Sequence, residues 1–139
     1  MDTAHFTRQK TVRVPSASVK AIVATDYELV EAPGAGKAIV LLYALLTLDY
    51  NSVAYTWANT DHSLSIGPAT TDSDAEAQAL IESGDAFTMR LAPSVDSAEV
   101  VGNTALNLSA AGTGEPVTGD SDLVVHVVYQ IIDISGNDV

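Results

Sequence analysis

The chain has 139 residues, 47% of them hydrophobic, with 18 acidic side chains against 6 basic ones, a formal charge of −12 and no cysteine. That length predicts one compact domain with enough chain to bury a core unaided by metal or disulfide, and the missing cysteine excludes disulfide scaffolds, thiolate zinc sites and thiol catalysis. The longest apolar run, Ala38–Leu48, falls well short of the roughly 18 residues of a membrane helix, and the polar start Met1-Asp2-Thr3-Ala4-His5 has no secretory-signal character, so the chain reads as soluble with no membrane partner.

Charge divides the chain. Arg8, Lys10, Arg13 and Lys20 give the first twenty residues a net +3, whereas the other 119 carry two bases (Lys37 and Arg90) against 17 acids. Phosphate recognition needs clustered Lys and Arg, so no nucleic-acid partner is expected for the body. The division expected is a basic N-terminal arm over residues 1–18 and a single domain over 19–139. The arm reads either as a solvated tail or as a docking strap carried by Arg8, Lys10 and Arg13. The strap reading expects that deleting residues 2–14 leaves the body folded and weakens partner binding.

Taken in order, the segments predict short strands at Thr11–Val14, Val19–Ala24 and Tyr27–Glu31. Lys37–Tyr50 is apolar enough to be a buried helix or a strand; the turn-like Ala32-Pro33-Gly34-Ala35-Gly36 before it lacks an N-cap and favours a strand hairpin with Tyr27–Glu31. Further strands are expected at Val53–Trp57, Leu64–Ile66 and Thr104–Leu108. One short helix is expected at Asp74–Ser83, capped by Asp72 or Ser73 and ended by Gly84. In Phe87-Thr88-Met89-Arg90-Leu91 apolar and polar residues alternate with the period of a half-buried strand. Leu123–Ile134 is rich in β-branched residues and places Leu123, Val125, Val127, Tyr129 and Ile131 on one face, with Val124, His126, Val128, Gln130 and Ile132 on the other. The first face is wholly apolar, and the second is apolar enough to suggest cover by another sheet or subunit. The fold class is therefore all-β, a β-sandwich or jelly roll with one short helix in a loop, and Gly112–Asp122 is its turn-rich surface tip.

Catalytic signatures do not assemble. Gly34-Ala35-Gly36-Lys37 has Glu31 and Ala38 where a phosphate loop needs Gly and Ser or Thr. His5, His62 and His126 have no partner at metal-ligand spacing, and His126 on a strand reads as a structural histidine. Asp72-x-Asp74 and Asp120-x-Asp122 could offer oxygens to calcium but lack the ligand ladder of a calcium loop, so turn and cap roles are expected. No catalytic, cofactor or metal residue is assigned. Tyr55 and Trp57 share one strand face, where they serve as core, as a protein-contact anchor or as a sugar-stacking platform. With Arg8, Lys10 and Arg13, they are the candidate partner-binding residues.

The order of features then carries a likeness: Glu28–Val40 with its Pro-Gly-Ala-Gly-Lys turn, Asn103–Leu108, a Gly-rich tip, and Asp122–Tyr129. It resembles a group of small tailed-bacteriophage virion proteins that form β-sandwiches on the particle, over about residues 27–134. The resemblance implies a non-enzymatic capsid decoration or cement protein. Such a protein would need no cofactor, would bind the major capsid protein on the outer surface of the virion as a homotrimer, and would stabilise the expanded head. The alternative is a tail or fibre component that binds a host receptor or glycan through Tyr55, Trp57 and the 112–122 loop.

Overall fold

The longest β-branched run becomes the centre of the architecture. In the computed structural model, which describes residues 6–59, 61–67, 70–71, 74–92 and 100–136, Asp122–Asp133 is a strand whose Leu123, Val125, Val127 and Tyr129 are buried. In chain order the elements are β1 (Thr7–Val14), α1 (Ser16–Val19), β2 (Tyr27–Val30), β3 (Lys37–Asp49), β4 (Ser63–Gly67), β5 (Thr70–Thr71), α2 (Asp74–Ile81), β6 (Phe87–Leu91), β7 (Leu106–Ala111) and β8 (Asp122–Asp133). They form two four-stranded antiparallel sheets, sheet A in the order β1-β8-β3-β6 and sheet B in the order β2-β7-β4-β5. The pairs β1·β8, β2·β7, β3·β6 and β4·β5 are those of one long hairpin. Rolled up, that hairpin adds β8·β3 and β7·β4. This is the strand order of a jelly roll.

Between the sheets, Leu46 and Leu48 of β3, Val125 and Leu123 of β8, Leu64 and Ile66 of β4 and Leu106 and Leu108 of β7 are almost wholly buried. Each such side chain contributes about 1.5–3 kcal/mol relative to an exposed one. Helix α2 packs on β3, β4 and β6 with Ala77, Leu80 and Ile81 buried, which closes one flank of the sandwich. Its expected caps, Asp72 and Ser73, lie outside the described residues.

Four expectations are corrected. Residues 7–14 are not an arm apart from the body. They form the edge strand β1, in register with β8 from Thr7↔Gln130 to Val14↔Leu123, because Val12 and Val14 extend the apolar face of β8 into the core. Deleting residues 2–14 therefore uncovers β8. Residues 19–24 are a helical turn and loop: Val19 and Ile22, three apart, are the buried pair, a helical and not a strand spacing. β2 and β3 are not a hairpin. Each finds its partner in a different sheet, so the turn, with Gly34 (φ +109°) and Gly36 (φ +78°) in conformations that favour glycine, carries the chain from sheet B to sheet A. At 53–57 only Thr56 pairs, in an isolated bridge with Val117.

Candidate partner-binding face

The five residues singled out from sequence separate into two environments. Tyr55 and Trp57 do lie on one face of an extended segment, but that face looks inward, leaving them 3% and 1% exposed. The Tyr55 hydroxyl donates to the Ser121 carbonyl at 2.5 Å, and burial, aided by the nearby Asp122 and Asp120 carboxylates, pushes its phenol up to about 12. The Trp57 indole N–H donates to the Gly114 carbonyl at 2.9 Å, and its ring stacks on that of the buried His62, centroids 3.8 Å apart. Both are therefore core residues and not surface contacts. Arg8, Lys10 and Arg13 are exposed on β1. Arg13 bridges Asp49 at 2.9 Å and Asp122 at 3.0 Å, which ties β1 to the ends of β3 and β8.

Acidic side chains of the loops are engaged in holding backbone. The Asp120 carboxylate accepts from the Ser52 hydroxyl, from the backbone N–H groups of Ser52 and Val53 and from the Asn51 side chain, bonds that hold it down at about 2. Asp122 accepts from the Ser16 N–H and from Arg13. The Asp120-x-Asp122 oxygens considered for calcium are thus occupied by protein donors on opposite neighbours. Asp72, of the other pair, lies outside the described residues. Glu115 takes the N–H groups of Val23 and Ala24, and Asp61 takes both the N–H and the hydroxyl of Thr113, which lowers its pKa. With Gly114 held by Trp57 as well, the glycine-rich tip is stitched onto the body. His126 stands on the outer face of sheet A with Nδ1 at 2.8 Å from the Thr11 hydroxyl, and His5 lies outside the described residues. Among the described residues, no three His, Cys, Asp or Glu side chains converge as a metal site.

What remains open is the outer face of sheet A. Register places Arg13, Val124, Thr47 and Thr88 in one row across the four strands, and Thr11, His126, Leu45 and Arg90 in the next. Beyond these come Gln9, Val128 and Tyr43, then Thr7, Gln130 and Val40. Tyr43, Leu45, Val124 and Val40 are half-buried, and Leu42, at a bulge of β3, is 39% exposed. Arg90 lies over the Tyr43 ring with its guanidinium carbon 5.7 Å from the centroid, a cation–π arrangement. Among the described residues, no carboxylate lies in these four rows, although the chain has 18 acidic residues. Asp49 and Asp122 bound the face at one end; at the other, Asp133 has the inward parity of Tyr129 and Ile131. An apolar centre with Tyr and Arg, free of acid, has the composition of a protein contact.

No known protein family, curated protein or solved structure matches the chain.

Proposed function

We propose that the protein is a non-enzymatic structural component of a tailed-bacteriophage particle, a decoration or cement protein that seats the outer face of sheet A on the outside of the capsid. Its partner is the major capsid protein, and binding stabilises the expanded head. The observation that carries this reading is the carboxylate-free face: in a chain of charge −12 it is where a second protein can approach without meeting acid. The four rows, two of them four strands wide and two of them three, cover on the order of 450 Å², a modest contact. The jelly-roll architecture is one that viral capsid domains share with lectins and cupins, so it agrees with the reading without selecting it. The tail-fibre alternative loses Tyr55 and Trp57, which are core, and keeps the 112–122 loop, where Val117 is exposed.

The test is co-sedimentation of purified protein with expanded capsids lacking it, together with labelled electron microscopy of complete particles. Leu45→Asp puts a charge in the centre of the face without touching the inner core, and it should abolish capsid binding while Trp57 fluorescence stays native. Arg90→Glu, at the rim, should weaken it. Undiminished binding by both variants, or label on tails in place of heads, overturns the proposal.

A further inference from the structure

We propose that the flank formed by the edge strands β1 and β2 is a self-interface through which two copies of the chain pair about a twofold axis. This is independent of the capsid reading, which concerns the outer face of sheet A. β1 is an edge of sheet A and β2 an edge of sheet B, and the two strands touch, so both open edges lie side by side on the flank opposite α2.

These edges carry opposite charge. Arg8 and Lys10 are exposed and stand in register with Tyr129 and Val127, so they are on the inward side of sheet A and reach water across the flank. Asp26, Glu28 and Glu31 are exposed along and just beyond β2. None of these five makes an ion pair among the described residues. Between the two edges lie the half-buried Val12 and Tyr27, which pack on the core and leave an apolar strip at the middle of the flank.

Charge selects the pairing. Charges turned inward on an open edge oppose indiscriminate strand addition. Here β1 against β1, or β2 against β2, would set like charges opposite one another. A twofold axis lying in the interface parallel to the strands instead brings β1 of one copy to β2 of the other, and β2 to β1, so one rotation matches base to acid twice. The bases at 8 and 10 and the acids at 26 and 28 even share a spacing of two. The assembly closes at two copies, not the three that the likeness to virion proteins implies. An eight-residue strand is about 26 Å long and the sheets are about 10 Å apart, so each copy contributes on the order of 300 Å². That lies below a standard interface and predicts a weak, reversible dimer.

The experiment is sedimentation velocity over a concentration series at fixed ionic strength. Wild-type protein should move from monomer to dimer. Arg8→Glu/Lys10→Glu and Glu28→Lys/Glu31→Lys should each remain monomeric where the wild type is half dimeric. The fourfold swap, and an equimolar mixture of the two half-swaps, should both regain the dimer, because each restores β1–β2 complementarity on both sides of the axis. Circular dichroism checks the fold, and Arg8→Gln/Lys10→Gln replaces a variant that fails it, with at least a tenfold weaker dimer expected. A wild type that stays monomeric or reaches a mass of three copies, half-swaps that dimerise like the wild type, or restored pairs that stay monomeric each overturn the proposal.

Discussion

Adding one methyl group at Gly119 should disturb the fold out of proportion to its size. Gly119 needs no special backbone conformation, so alanine there brings no torsional strain. A Cβ built on Gly119 instead falls on the Tyr55 ring, inside any possible carbon–carbon contact with Cγ, Cδ1 and Cε1. The ring cannot swing away, since it is 3% exposed and its hydroxyl is bonded to the Ser121 carbonyl, and Gly119 is itself fixed by its N–H bond to the Val117 carbonyl at 2.9 Å. Overpacking of this kind costs about 1–3 kcal/mol; with both partners held, the upper end applies, and the melting temperature should fall by about 10 °C. The assay is a thermal and urea double-mutant cycle. In a Tyr55→Ala background the extra methyl has room, and Gly119→Ala should become neutral or stabilising by about 0.4–1 kcal/mol through the unfolded state. An equal cost in both backgrounds, or a melting point within about 1 °C of wild type for Gly119→Ala alone, would refute the reasoning.

Other predictions follow from the same interior. Because the Tyr55 phenol is raised from 10.0 to about 12, its contribution is complete below pH 10 and is lost as pH climbs towards 12; the loss is bounded at about 3 kcal/mol, and urea midpoints across that window should decline less steeply for Tyr55→Phe. At neutral pH that variant should still cost about 1–3 kcal/mol, since the Ser121 carbonyl loses its buried donor. The depressed Asp120 acts in the opposite direction: its contribution is present above pH 4 and disappears as pH falls towards 2, so Asp120→Asn should flatten that part of an acid-unfolding curve. Trp57→Ala removes a fully buried ring and its bond to Gly114, and should cost about 3–5 kcal/mol by denaturant titration. Deleting residues 2–14 should lower the melting temperature, since it strips Val12 and Val14 from β8; unchanged melting would contradict the place assigned to β1.

Periodicity made the long strands legible. The alternation in Phe87–Leu91 and Leu123–Ile134 reports burial on one face directly, and β6 and β8 stand within a residue or so of where it places them. The tie over Lys37–Tyr50 was decided by pairing with β8, a partner more than 70 residues away that no local window contains. Where local pattern was short, it misled: Val19–Ala24 satisfies strand composition, yet two residues in a helical turn suffice to bury Val19 and Ile22. The alternation of Tyr55 and Trp57 was correct, but period two cannot tell which face is inside. Which carboxylates hold backbone was invisible, because Asp120 meets Ser52 and Glu115 meets Val23 across 68 and 92 residues. The acid-free face emerges only when four strands lie in register, since its residues are scattered from Thr7 to Gln130.

The rolled hairpin also decides how the molecule would bear a load. β1 and β8 are antiparallel, with Thr7 beside Gln130, so Thr7 and Asp133 leave sheet A at the same end. Tension applied at these two points peels β1 away one rung at a time, from Thr7 towards Val14, and never loads the ladder as a whole. Force entering in the plane of sheet A, across its strands, instead loads every hydrogen bond of a ladder at the same moment. Pulled at these two points the sheet opens like a zip; pulled across its strands, each ladder must yield as a unit.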